Sequence, residues 1–183
     1  AHVDPFGQSE SEERADFERA LAAFDALGVT PVGYRSPSAD LSPQTLTLLE
    51  EHGLLYDSSL MTDDYRLFKP RIGDRVSATE PLVKGREADL IEIPMCFELD
   101  DWPHFQFNFA PHRAGLSAPS KVLEIWQGEL DYMDANVDGG VLVVCMHPQV
   151  IGRGHRVAML ERFVEHARSL DVTFAELREV AAR

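Results

Sequence analysis

The sequence predicts an α/β fold with parallel strands, the C-terminal part of a larger βα domain. Three observations carry this. Short apolar runs alternate with amphipathic segments in the order helix, strand, helix, strand, long loop, strand, helix, strand, helix, strand, helix. Alternation of that kind belongs to parallel strands joined by crossovers. The run Val141–Met146 is apolar throughout, the composition of a strand covered on both faces. Finally, a loop and a helix come first, with no strand before them. Five short strands are too few to close a barrel, and left open they would expose an unsatisfied edge.

The elements follow in order. Ser9 and Glu12 form an S-x-x-E capping box, and Phe17, Ala20, Leu21, Phe24 and Leu27 follow at helical spacing before Gly28. This predicts a first helix of roughly five turns. Val32-Gly33-Tyr34 reads as a strand ending in the loop Arg35–Asp40. Ser42-Pro43 reads as an N-cap and N1 pair for a second helix that stops at Gly53. Leu54-Leu55-Tyr56 is the next strand, ending at Asp57-Ser58-Ser59. Residues 61–89 are rich in charge, Gly and Pro without a steady period, which predicts a long loop with a small hairpin. Leu90–Ile93 is a strand, followed by an aromatic stretch that holds Trp102, Phe105, Phe107 and Phe109. Pro119 opens a third helix with Val122, Leu123, Trp126, Leu130 and Met133 on one face. Strand Val141–Met146 is closed by Pro148, which cannot donate to a ladder. A helix over Val157–Leu170, a strand at Val172–Phe174 and a terminal helix behind a Thr173/Glu176 box complete the chain.

The bulk properties narrow the function. With 183 residues there is room for one domain with a real core, read here as a single partial domain over residues 1–183. A net charge of -14 argues against nucleic acid and against an anionic membrane surface. No apolar run approaches a membrane span of about 18 residues, and no signal peptide is visible, so a cytoplasmic location is expected. The 2 cysteines, Cys96 and Cys145, lack metal-ligand spacing and read as reduced core residues.

Four strand ends carry polar residues of catalytic types: Arg35, then Asp57 and Ser58, then Asp100, Asp101 and Trp102, then His147. In a parallel sheet such ends share one rim, the layout of a barrel active site. Each residue also has a structural reading. Arg35 suits an ion pair, Asp57 an Asx turn, Asp100-Asp101 a solvated turn, Trp102 loop core, and His147 a strand cap. His2 suits an exposed terminal histidine.

Taken together these stretches resemble the NodB-type polysaccharide deacetylases, the carbohydrate esterase family 4 fold. The likeness is greatest to the branch with peptidoglycan-deacetylase-like proteins and cofactor-independent allantoinases. Gly33-Tyr34-Arg35-Ser36-Pro37 is similar to the family's R-x-P motif. Leu48–Ser59 resembles its L-L-x-x-x-G-F-x-Y-D-S-S stretch. Asp100-Asp101-Trp102 is similar to the D-W motif, and Val144-Cys145-Met146-His147 to the final L-x-x-H motif, with Val for Leu. The resemblance implies a distorted (β/α)7 barrel, of which this chain is the C-terminal part.

It further implies metal-assisted hydrolysis of non-peptide carbon–nitrogen bonds. His147 corresponds to the general acid, Asp101 to the acid that tunes it, and Arg35 to the residue that supports the catalytic Asp. Trp102 corresponds to a groove wall, with Tyr34 and Pro37 as further substrate-binding candidates. Ala1-His2 is similar to the end of the family's H-x-x-x-H motif, so His2 corresponds to a ligand of a divalent metal, usually zinc. The remaining ligands and the base would lie upstream of Ala1. The substrate would be an N-acetylated sugar polymer or a small amide or ureide. The alternative is a non-catalytic truncated domain that binds carbohydrate or a partner chain. An exposed barrel edge would also favour a homo-oligomer.

Overall fold

The computed structural model describes residues 3–108 and 115–183. His2 and Phe109 lie outside the described residues. The described chain is mixed α/β and falls into two compact units. One comprises residues 1–60, 67–93 and 175–183; the other comprises residues 61–66 and 94–174. No described helix is long and apolar enough to cross a membrane.

In the first unit, helix α1 (Glu10–Asp25) starts at the expected capping box, with Ser9 accepting from the Glu12 N–H and Glu12 reaching back to the Ser9 N–H. Its apolar stripe is buried less than the spacing predicts. Phe17 packs on a cluster of Leu49, Leu54, Ala88 and Leu90, whereas Phe24 and Leu27 are exposed. The residue that α1 buries fully is Glu13. Its carboxylate accepts from the hydroxyls of Ser42 and Thr45, which accounts for a buried charge.

Strands β1 (Gly33–Tyr34), β2 (Tyr56–Asp57) and β5 (Ile91–Glu92) form a parallel sheet in the order β1-β2-β5. Gly33 lies opposite Tyr56, and a Cβ there would sit 1.9 Å from the Tyr56 ring, so the ring lies on bare backbone. Helix α2 (Thr45–Glu51) connects β1 to β2. It begins later than Ser42-Pro43 suggests: Ser42 Oγ accepts from Gln44 N, but the Ser42 side chain caps a turn rather than the helix itself. The expected hairpin is present as β3 (Arg71–Ile72) and β4 (Arg86–Glu87), paired antiparallel. Helix α7 (Leu177–Ala181) returns to this unit, capped by Glu176 and Glu179 rather than by Thr173.

The second unit is built on helices. Short α3 (Asp101–Phe105) follows a 3-10 turn at Phe97–Leu99. Helix α4 (Pro119–Asn136) opens at Pro119 and buries Val122, Leu123, Trp126, Leu130 and Met133, the face that its periodicity gives. It packs on α6 (Gly154–Ser169) through Met159, Phe163 and Ala167. The Trp126 ring meets Phe163 edge-on at 5.5 Å, and its indole N–H donates to Glu98 O at 2.9 Å.

Two expected strands need correction. Residues 141–146 do not form a regular strand. Val141 N donates to Tyr65 O and Cys145 N to Leu99 O, leaving one parallel bridge, Asp100 to Cys145. Of the run only Val143 is buried; Leu142 and Val144 are partly buried against the α4–α6 core. The run is apolar but only partly covered, and Met146 at its end is exposed. Val172–Phe174 likewise forms no strand, and Phe174 is exposed.

Candidate active site

Two groups of polar side chains lie at the places singled out by the sequence, one in each unit. In the second, the bridge between Asp100 and Cys145 sets the register. Asp101 N donates to Cys145 O at 3.1 Å, which brings the first residue of α3 beside the end of the 141–146 segment. Asp100 caps α3 by accepting from Trp102 N at 2.7 Å. His147 is the residue before α5 (Pro148–Ile151), and Pro148 at N1 fixes where the chain turns.

The result is a carboxylate–imidazole pair. Asp101, fully buried, receives the His147 backbone N–H at Oδ2, 3.1 Å away, and the ring Nδ1 lies 2.6 Å from Oδ1. Both carboxylate oxygens are therefore used on one residue. An ionised Asp101 at this distance accepts from Nδ1–H, which leaves Nε2 as the ring atom with chemistry to offer. The side chain of His147 is 29% exposed, so the ring is held from behind and open in front. Trp102 lies edge-on to it, ring centroids 5.1 Å apart, and is itself 39% exposed.

In the first unit, Arg35 follows β1. Its Nε donates to Ser58 O at 2.8 Å and its Nη2 to Ser58 Oγ at 2.6 Å. Ser58 Oγ in turn donates to Ile93 O at 2.7 Å. Tyr34, one residue earlier, is half-buried against Phe17, and burial raises its phenol above the usual range. Pro37 opens a 3-10 turn in which Ser38 and Ala39 both take positive φ, 59° and 58°. Such backbone is costly for residues other than glycine. It is tied down by Ser36, whose hydroxyl donates to Asp40 O and whose N–H donates to Ser59 Oγ.

The residue that sequence reading passed over is Glu92. It is fully buried in β5, directly opposite Asp57 of β2, which is also fully buried. The signal was a charge in the middle of Leu-Ile-Glu-Ile-Pro, where an apolar strand has no ordinary use for one. Burial, reinforced by the Asp57 charge, pushes Glu92 up to about 9.

For a metal ion, one trio among the described residues offers donor atoms within 4.8 Å of one another: Asp100, Cys145 and His147. Within the trio, Nδ1 of His147 faces Asp101 and Asp100 Oδ1 accepts the Trp102 N–H, so Nε2 is the ring atom His147 would offer to a metal ion.

Comparison with known proteins adds lineage to this geometry. No family model matches the chain. It is 30% identical to a peptidoglycan deacetylase of Helicobacter pylori, over 98% of the chain and 67% of that protein. It is 24% identical to the peptidoglycan deacetylase-like protein FGM2 of Gibberella zeae, over 87% of the chain and 53% of that protein. A crystal structure assigned as a polysaccharide deacetylase from Mycobacterium smegmatis superposes with TM-score 0.81 and 34% identity, over 99% of the chain and 59% of its own. PuuE allantoinase, 24% identical, shares the fold with TM-score 0.74 over 99% of the chain and 55% of its own. The chain thus spans between about half and two thirds of the proteins it matches.

Proposed function

This chain belongs to the NodB-type polysaccharide deacetylase family, and on that premise we propose that it carries the general-acid half of a hydrolase acting on non-peptide carbon–nitrogen bonds. The observation that supports this best is the Asp101–His147 pair, with Nδ1 held at 2.6 Å on a fully buried carboxylate. A general acid must deliver its proton from a fixed direction. Asp101 fixes both the tautomer and the ring plane, so Nε2 delivers the proton to the leaving nitrogen as the carbon–nitrogen bond breaks. Trp102 walls one side of the place where that nitrogen would lie, and Tyr34 and Pro37 are proposed to contact substrate. Arg35, held rigid by Ser58, is proposed to support the carboxylate that activates water.

A divalent metal, zinc by the family resemblance, is part of this proposal, with His2 as the ligand this chain offers; when bound it would polarise the scissile carbonyl. A (β/α)7 barrel is the wider frame proposed for this chain. The proposed substrate is an N-acetylated polysaccharide of the peptidoglycan kind, because the deacetylase relatives are the more similar ones. A cyclic ureide is the second class to assay.

The test is His147→Ala in the intact protein, assayed on N-acetylglucosamine oligomers and on allantoin. Loss of general-acid catalysis should lower kcat by about 10²–10⁴-fold, with part of the rate restored by added imidazole. An unchanged rate on every substrate that the wild type turns over would overturn the assignment.

A further inference from the structure

The buried carboxyl groups of Asp57 and Glu92 present a problem in electrostatics that the proposed chemistry does not use. The two residues are register partners on adjacent parallel strands, so their side chains leave the sheet on the same side. Each is 0% exposed. Each uses one oxygen well. Asp57 Oδ1 accepts from Ser59 Oγ at 2.8 Å, and Glu92 Oε1 accepts from the N–H groups of Ser59 and Leu60, both at 2.9 Å. The other two oxygens, Asp57 Oδ2 and Glu92 Oε2, are buried and have no donor among the described residues. Two anions in that setting would be prohibitively costly, and neighbouring carboxyls relieve the cost by holding a proton between them.

We propose that Asp57 and Glu92 share one proton and that the pair is a positioning element, fixing the Asp57–Ser59 turn on which Arg35 is mounted. The links are short. Ser59 is held from both sides, by Asp57 through its hydroxyl and by Glu92 through its N–H. Its hydroxyl also accepts from Ser36 N at 2.9 Å, on the residue after Arg35. Ser58, between the two, receives both guanidinium bonds of Arg35. Loss of the proton leaves two facing anions and drives the turn apart. The other ionisable groups ranged about the pair are Tyr34, which feels the Asp57 charge from the next strand, and Arg35 itself. Glu92 carries the proton in this arrangement and Asp57 the charge, the sense in which the bond between the two carboxyls lowers Asp57 and raises Glu92. The role for Arg35 rests on the proposed hydrolase; the shared proton does not.

The experiment uses the intact protein and reads the two parts separately. Infrared spectra at neutral pH should show a protonated carboxyl band that disappears in Glu92→Gln and in Asp57→Asn. A wild-type spectrum without that band overturns the shared proton. Proton NMR of the Arg35 Nε–H gives the positioning. Its exchange protection should fall about tenfold or more in Glu92→Ala and be restored in Glu92→Gln, whose amide mimics the protonated acid. Equal protection in all three proteins overturns the positioning role. If Glu92→Ala fails to fold, the pH course decides instead: wild-type protection should collapse as pH rises through about 9, and Glu92→Gln should show no such collapse. Activity is read last. Losses in kcat from Arg35→Ala and Glu92→Ala should be far from additive; full additivity overturns the coupling. A protein that turns over no substrate refutes the hydrolase while the infrared and exchange results still decide the pair.

Discussion

Asp101 and His147 show how a site depends on single atoms. Asp101→Asn keeps the shape but offers one oxygen where two were used, so either the backbone N–H or the ring loses its acceptor. Leaving a buried polar group unpaired costs about 1–3 kcal/mol, and urea unfolding should show a loss in that range. Glu92 gives a prediction of opposite sense in pH. Its folded value, about 9, lies above the ordinary 4.5, so the folded protein binds this proton more tightly than the unfolded chain. That contribution is complete below the unfolded value and is lost as pH rises through about 9. Thermal melts of the wild type should therefore fall across that window, and those of Glu92→Gln should fall less. At this scale the sequence was partly legible. His147, Asp101, Asp57 and Ser58 stood out because polar residues ended apolar runs. The partners of Arg35 did not, because a bond between residues 35 and 58 leaves no local pattern.

Helices were more legible than strands, and the reason is geometric. Helix α4 repeats its apolar residues over eighteen positions, so its buried face could be read directly. Trp126→Ala should cost about 3–5 kcal/mol, since the ring is fully buried, meets Phe163 and donates to Glu98 O; chemical denaturation measures it. Helix α1 shows the limit. Its capping box was legible, and Ser9→Ala should cost about 1 kcal/mol by the same assay, but its apolar stripe did not predict the exposure of Phe24 and Leu27. Strands of two residues carry almost no period. The run at 141–146 looked like a regular strand because apolar composition does not reveal whether a neighbouring strand pairs along its length.

Over the whole chain, 31 acidic and 17 basic side chains leave an excess of negative charge. Self-repulsion of that kind is screened within about 10 Å at 0.1 M salt, so melting temperatures should rise from low to moderate salt. A flat response would mean the charges are already locally paired. The α/β class was legible from alternation; the division into two compact units was not, because residues 61–66 and 175–183 each join a unit distant from their neighbours in sequence. The composition also contains only 2 tryptophans, and their settings differ sharply. Trp126 is sealed among apolar side chains, while Trp102 stands in solvent with its ring against the His147 imidazole. A dissolved quencher such as acrylamide reaches a ring only where solvent does. The protein therefore carries its own optical gauge of access to the face beside His147: acrylamide should dim the long-wavelength part of its fluorescence and spare the blue part, without any label. Trp102→Phe would silence the gauge and leave the steady blue signal of Trp126.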